Sequence, residues 1–331
     1  MKSTKTRHLK AERSFAGMRS GPLLILFFLV MVFTVLNPNF LSAFNLYNFL
    51  MQNEYRLVMI TGLAFIMLGG EIDLSVGYQI SLIGILMGRM LSMGVAAPLC
   101  IAVGILAGLA CGSLNGILVA GLHLSSVIVT LITQKLFQGI SYLISRGMTY
   151  SSFPDMVLSI SGIRGESWPA SHMIVVLSIL ILEGIFSCTV IGKNILSMGY
   201  DEQVVRQNDI SADRYKFITY AAGSLFFSLS ALLLISRQGL AVSNMGNGLE
   251  MDGLFAVCIA GGGSLFLKNR ETKKRVPIMN FYLSILVLGV IENGMQLSGS
   301  IQYLQYIITS AIVLCSVLPE WTGVILHKKE T

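Results

Sequence analysis

The chain has 331 residues, of which 54% are hydrophobic and only 12% charged, with a net charge of +6. At a mean hydropathy of +0.73 it reads as an all-α polytopic membrane protein, and about 20 residues per span leave no room for a separate soluble domain. Its basic residues cluster beside the apolar runs, which is the positive-inside pattern and not a nucleic-acid surface, and its cysteines (Cys100, Cys111, Cys188, Cys258, Cys315) lie in apolar stretches without metal-ligand spacing or a disulfide framework.

Residues 1–20 form a basic segment, with Lys2, Lys5, Arg7, Lys10, Arg13 and Arg19 against Glu12, which predicts a cytoplasmic N-terminus. The first apolar run, 22–36, is expected to remain as an uncleaved anchor, because no A-x-A-like site follows Leu36. Further spans are expected near 57–69, 78–93, 95–120, 124–144, 172–191, 216–236, 251–267, 277–294 and 301–319. That makes about ten, with eight or nine left open because the first two runs are short. Ten crossings return the tail 320–331 to the cytoplasm with Lys328 and Lys329. The loop carrying Lys268, Arg270, Lys273, Lys274 and Arg275 falls on the same side. Residues 21–319 then form a single membrane domain.

Between the second and third spans lies Gly69-Gly70-Glu71-Ile72-Asp73-Leu74-Ser75-Val76-Gly77. Two carboxylates at membrane depth each cost roughly 2–3 kcal/mol on insertion scales, so they face a bundle interior or a wet cavity. Glycines that interrupt a helix at that depth point to a translocation path, whereas a loop at the membrane surface is the plainer alternative. Asp73 is expected to accept hydrogen bonds from backbone N–H groups freed at Gly69-Gly70 and Gly77, a role that asparagine would also serve. Ser75 is expected to cap the following helix.

Span four carries Gly104, Gly108, Gly112 and Gly116 at every fourth position, one helix face on which a second helix can approach closely. In span five, Lys135 with Gln134 and Gln138, and in span six Glu183, either line a polar path, or snorkel or pair within the bundle. The segment 146–171 is either a docking lip or an ordinary outer loop. Residues 192–214 contain a short helical stretch in which Asp201 and Glu202 suit a helix N-terminus. Val204, Val205 and Ile210 offer a small apolar contact face beside Arg206 and Asp209, so this stretch is either a projecting docking helix or a solvated connection. No G-x-x-x-x-G-K-[ST] phosphate loop occurs, so any ATP must be handled by a partner.

Two halves repeat weakly: 65–75 is echoed by 256–265. Asn115-Gly116 upstream of Thr130 is echoed by Asn293-Gly294 upstream of Thr309. Some helices are therefore expected to be discontinuous.

These residues together resemble the permease subunits of ribose-type ATP-binding cassette (ABC) importers, a family that includes monosaccharide and autoinducer-2 permeases. Gly70 to Gly77 resembles the G-I-D-L-S-V-G signature with one extra residue. Gly192 to Ile210 is similar to the coupling segment, Gly246 to Asp252 to G-x-G-Y-E-L-D, and Ala260 to Leu265 to G-G-T-S-L. The chain departs at 266–275, where charges replace a glycine-rich turn, and at Asp209, where the family usually has Gly; both would suit one member of a heterodimeric pair. The resemblance implies a permease domain over 21–319 in a bacterial inner or plasma membrane, assembled with a second permease copy or paralogue. It also implies an ABC ATPase subunit docked at 201–210 that uses ATP and Mg, and an extracytoplasmic substrate-binding protein. No cofactor is expected on this chain. The competing expectation is an ion- or proton-coupled carrier in which Glu71 and Asp73 titrate; an intramembrane enzyme is disfavoured, because His8, His123, His172 and His327 are scattered.

Overall fold

The computed structural model describes residues 20–162, 169–261, 276–299 and 302–327. The chain runs through α1 (Ser20–Leu36), α2 (Ala43–Leu68), α3 (Val76–Ser92), α4 (Ala97–Gly116), α5 (Ser126–Ser145), α6 (Asp155–Leu158) and α7 (Ala170–Cys188). It continues through α8 (Val190–Tyr200), α9 (Glu202–Gln207), α10 (Ala212–Gln238), α11 (Leu249–Ile259), α12 (Ile278–Leu297) and α13 (Gln302–His327). A two-residue β1 (Tyr150–Ser151) pairs antiparallel with β2 (Leu240–Ala241) and ties the 146–169 connection to the end of α10. Most of the N-terminal basic segment, the 262–275 loop and its share of the half-repeat lie outside the described residues.

Every predicted apolar run contains a helix. Among the described residues, five are long and apolar enough to cross a membrane: Ala97–Gly121, Ser126–Ser145, Ala170–Cys188, Ala212–Gln238 and Ile278–Leu297. The protein is an all-α polytopic membrane protein.

The largest departure is α2, which begins at Ala43 and not near residue 57. Its first half is rich in polar groups that are paired inside the bundle. Asn45 exchanges amide hydrogen bonds with Asn293 at 2.9 and 3.0 Å. Arg56 pairs with Glu292, and with Asp252 at 3.4 Å; Glu54 lies 2.6 Å from His172. Amide and ion-pair partners within the bundle let a polar helix occupy an apolar core.

The core is built around α10, which packs against α2, α3 and α4. Small residues allow this: a Cβ at Gly62 of α2 would overlap the Gly223 carbonyl of α10. Beyond α10 the backbone is non-helical over 242–248, lying along α3, where Gly246 N–H donates to Ser81 Oγ at 2.9 Å. It re-enters a helix at α11 through Gly248, whose φ of 93° favours glycine. Thus α2–α3 and the approach to α11 are both broken by glycines.

Candidate functional site: the helix break and the α8–α9 segment

The α2 helix closes normally: Gly69 N–H and Gly70 N–H donate to the Ile66 and Met67 carbonyls at 3.1 and 2.9 Å. Of the backbone groups expected to seek Asp73, those of Gly69 and Gly70 are therefore already paired. Asp73, 2% exposed, instead gathers side chains. Its Oδ1 accepts from Ser75 N–H (2.7 Å) and Ser75 Oγ (2.6 Å), and its Oδ2 from Gln79 Nε2 (3.0 Å) and Asn115 Nδ2 (3.4 Å). This corrects the sequence expectation in two respects: only one of the donors is a backbone N–H, and Ser75 makes no side-chain cap of α3. Ser75 Oγ donates to Asp73 and accepts from Gln79 (2.7 Å) and Asn115 (2.9 Å). Gln79 Oε1 then accepts from Ser224 Oγ of α10 at 3.0 Å. The network thus fastens the break to α3, α4 and α10.

Glu71 faces another way. Its carboxylate meets Lys216 Nζ of α10 at 2.9 Å, and the same ammonium meets Glu202 of α9 at 2.8 Å. The Glu71 and Lys216 side chains are only 11% and 14% exposed. Ile72 is held on both sides, its N–H by Ser126 Oγ at 3.4 Å and its carbonyl by Tyr220 Oη at 3.0 Å. An open cleft of about 510 Å³ lies over this point, lined by Glu71, His123, Ser125, Ser126, Glu202 and Lys216 among others.

Gly70 of the break packs backbone to backbone on α8. Gly70, at φ 84°, would bring a Cβ 3.0 Å from Gly199 Cα, and Gly69 sits against Met198 and Thr219. The break and the α8–α9 segment are therefore one packed unit. Within it, Asp201 Oδ1 accepts from Gln203 N–H at 3.0 Å, in keeping with a carboxylate at a helix start. Arg206 joins Glu202 at 2.8 Å to Asp213 at 2.5 Å. Burial opposes ionisation of Glu202, but hydrogen bonds from Lys216 and Arg206 outweigh it and hold its carboxyl below the usual range.

The expected apolar contact face is corrected here. Val205 is 2% exposed and packs with Met198 and Ala212, with Ile210 and Tyr215 against them, so these side chains form a small internal core and are not offered outward. The Val204 side chain lies outside the described set. What the segment exposes is polar: Gln203, Arg206, Gln207, Asn208 and Asp209. Asp209 adopts φ 56°, a left-handed conformation that favours glycine.

On α4, a Cβ at Gly104 would meet Met87, at Gly108 Ser228 Oγ and the Ser224 carbonyl, at Gly112 Ser224 and the Tyr220 carbonyl, and at Gly116 Phe217. Three of these neighbours' sets belong to α10 and the first to α3. In the half-repeat, Asn293 bonds Asn45 where Asn115 bonds Asp73 and Ser75, so the echoed positions do not share local partners.

The family described as branched-chain amino acid transport system, permease component, matches residues 45–317. The chain belongs to this permease family. It is 27% identical to the ribose import permease protein RbsC of Escherichia coli (strain K12) over 305 residues, covering 91% of this chain and 93% of that protein. It is 29% identical to RbsC of Bacillus subtilis (strain 168) over 323 residues, 95% and 98% of the two chains. To the autoinducer 2 import system permease protein LsrC of Enterobacter sp. (strain 638) it is 28% identical over 234 residues, 71% and 68%. No solved structure matches the chain.

In this permease the matched region runs from the start of α2 into α13 and contains the break, the cleft and the α8–α9 segment. Sequence reasoning missed Lys216, Gln79 and Tyr220. A lone lysine five residues into α10 was the available signal, since a charge followed by an apolar run needs a partner. Gln79, four residues after Ser75, was legible only as one more polar side chain.

Proposed function

We propose that this permease is the membrane subunit of an ATP-driven importer for a small polar solute, of the sugar class named in its relatives. The observation that carries the reading is the Glu71–Lys216–Glu202 bridge, which joins a glycine-broken helix pair to the short α9 helix between α7 and α10. A motor that pushes on α8–α9 would move Glu202 and, through Lys216 and the Gly70–Gly199 contact, the break itself. Packed elements of this kind switch between discrete arrangements, which is what alternating access requires.

In this reading an ABC ATPase subunit binds and hydrolyses ATP with Mg, docking on the polar surface around Gln203, Arg206, Gln207 and Asp209. An extracytoplasmic binding protein delivers solute, and a second permease copy or paralogue completes the path. The chain sits in a bacterial inner or plasma membrane with both termini cytoplasmic, and holds no cofactor.

The test is uptake by the chain reconstituted with its ATPase and binding protein in proteoliposomes. ATP-dependent accumulation of labelled pentose or hexose, unchanged when the proton gradient is dissipated, supports the reading. Uptake that needs a proton gradient and ignores ATP would establish the carrier instead.

A further inference from the structure

Lys135 lies midway along α5 and is exposed. Roughly 15 Å of helix separate it from either end. The four-carbon stem of a lysine does not span that distance, so the ammonium falls short of a lipid headgroup, and its charge excludes it from hydrocarbon. It therefore faces a wet path or protein. Among the described residues it makes no ion pair, and its one hydrogen-bond partner is Gln138 Oε1 at 3.1 Å.

A lysine can only donate, and that fixes the sense of every bond beyond it. Gln138 must give the ammonium its oxygen, so its Nε2 turns to Tyr78 Oη at 2.7 Å. Tyr78, accepting there, passes its own hydrogen to Asn247 Oδ1 at 3.4 Å. Asn247 is exposed on the non-helical 242–248 backbone, and with its oxygen engaged it has the amide NH₂ left to offer. The carboxylate joined to this face is already committed. Glu250 is buried, its Oε1 accepting from Gln134 Nε2 and its Oε2 from Gly248 N–H, both at 3.2 Å. The face is thus weighted to donors: the remaining hydrogens of the Lys135 ammonium and the NH₂ of Asn247, with the exposed Tyr142 two turns on along α5. One uncompensated positive charge backed by a neutral donor matches a solute group that accepts through two oxygens and carries a single negative charge. A carboxylate meets both conditions, whereas a phosphate ester, at about −1.5 to −2, would leave charge uncompensated.

We propose that Lys135 is a specificity-determining residue of the solute path and that it takes the carboxylate of an acidic sugar, with Asn247 as a second donor and the phenol of Tyr142 for the hydroxyl groups. This rests on the importer reading above and adds to it the charge of the solute and the residue that reads that charge.

The test is uptake by the assembled importer in proteoliposomes, offered labelled hexuronate and labelled hexose at equal concentration. The same binding protein is used throughout, so that its own preference cancels between variants. The ratio of hexuronate to hexose taken up is expected to fall about tenfold in K135Q, which loses a charge-assisted bond, and to be largely kept in K135R. With Cys188, Cys258 and Cys315 replaced by serine, K135C is expected to recover the ratio on reaction with aminoethyl methanethiosulfonate, which restores an ammonium, and not with the sulfonatoethyl reagent. A lysine that only fills space would not sort the two reagents by charge. Hexose uptake by the parent without hexuronate uptake overturns the solute class. A ratio that K135Q leaves unchanged overturns the role of Lys135 and assigns its ammonium to a contact with a second copy, the importer reading standing in both cases. Uptake that follows a proton gradient and ignores ATP sinks the importer reading, while the K135Q ratio still decides whether Lys135 reads the carboxylate.

Discussion

Asp73 shows how one residue sets the tolerance of its site. Both of its oxygens accept, and every group around it donates: Ser75 N–H and Oγ on one side, Gln79 and Asn115 amides on the other. An asparagine there turns an NH₂ toward NH₂ donors, and Gln79 cannot simply flip because its oxygen already accepts from Ser224. Asp73→Asn is therefore expected to destabilise by about 1–3 kcal/mol, the cost of a buried unpaired polar group. It should appear as a lowered melting temperature of the purified complex, with uptake per assembled complex preserved; an unchanged melting temperature would refute the donor arrangement. The sequence pointed to a structural aspartate but not to this outcome, since its donors come from residues 75, 79 and 115 and not from the glycines beside it. Asp209 gives the opposite case. Its left-handed φ of 56° costs a non-glycine residue about 1 kcal/mol. Asp209→Gly should leave thermal stability unchanged or raised, and Asp209→Val should lower it.

Among the elements, the face shared by α4 and α10 separates two kinds of neighbour. At Gly104 the atoms in the way belong to the flexible end of Met87, whereas at Gly108 and Gly112 they include the backbone carbonyls of Ser224 and Tyr220. A methionine can swing aside; a helix backbone moves only if the helices part. Gly104→Ala is thus expected to be mild, and Gly108→Ala and Gly112→Ala to cost about 1–3 kcal/mol each by overpacking. Thermal denaturation of the three purified variants checks the order, and equal losses would refute it. This face was legible in the four-residue spacing because close helix packing needs only local pattern. The first half of α2 was not legible, because Asn45, Glu54 and Arg56 find their partners 248, 118 and 236 residues away, in Asn293, His172 and Glu292 respectively. Hydropathy reads such groups as polar and cannot register their pairing. The 201–210 stretch was misjudged for a related reason, since apolar side chains in a short stretch point outward or inward according to what α8 and α10 place beneath them, and Met198, Ala212 and Tyr215 lie beneath Val205.

Across the whole molecule, the question is what links the surface where a motor would dock to the broken helices about which the bundle is packed. Two contacts do so: the glycine approach of Gly70 to Gly199, which is steric, and the Glu71–Lys216–Glu202 bridge, which is electrostatic. Lys216→Met removes only the second, leaving two carboxylates to face each other across the cleft. Removing one partner of a fully buried pair costs about 3–5 kcal/mol; partial exposure of Glu202 brings this to about 1–2 kcal/mol, enough for a roughly tenfold loss of the coupled arrangement. The expected result is ATPase activity that persists while solute taken up per ATP falls, with Lys216→Arg restoring most of it because the charge is kept. The pH dependence follows from Glu202, whose carboxyl lies below its usual range when folded. A group depressed in this way contributes fully above the ordinary glutamate range and loses its contribution as pH falls through the lowered value. Coupling should therefore be flat from neutral pH down to that range and fade only on its acid side, and Glu202→Gln should remove the acid-side fade by lowering coupling at every pH. Uptake per ATP measured against pH for the parent, Lys216→Met and Glu202→Gln decides the matter: a parent profile that Lys216→Met leaves unchanged at every pH would assign transmission to the glycine contact alone.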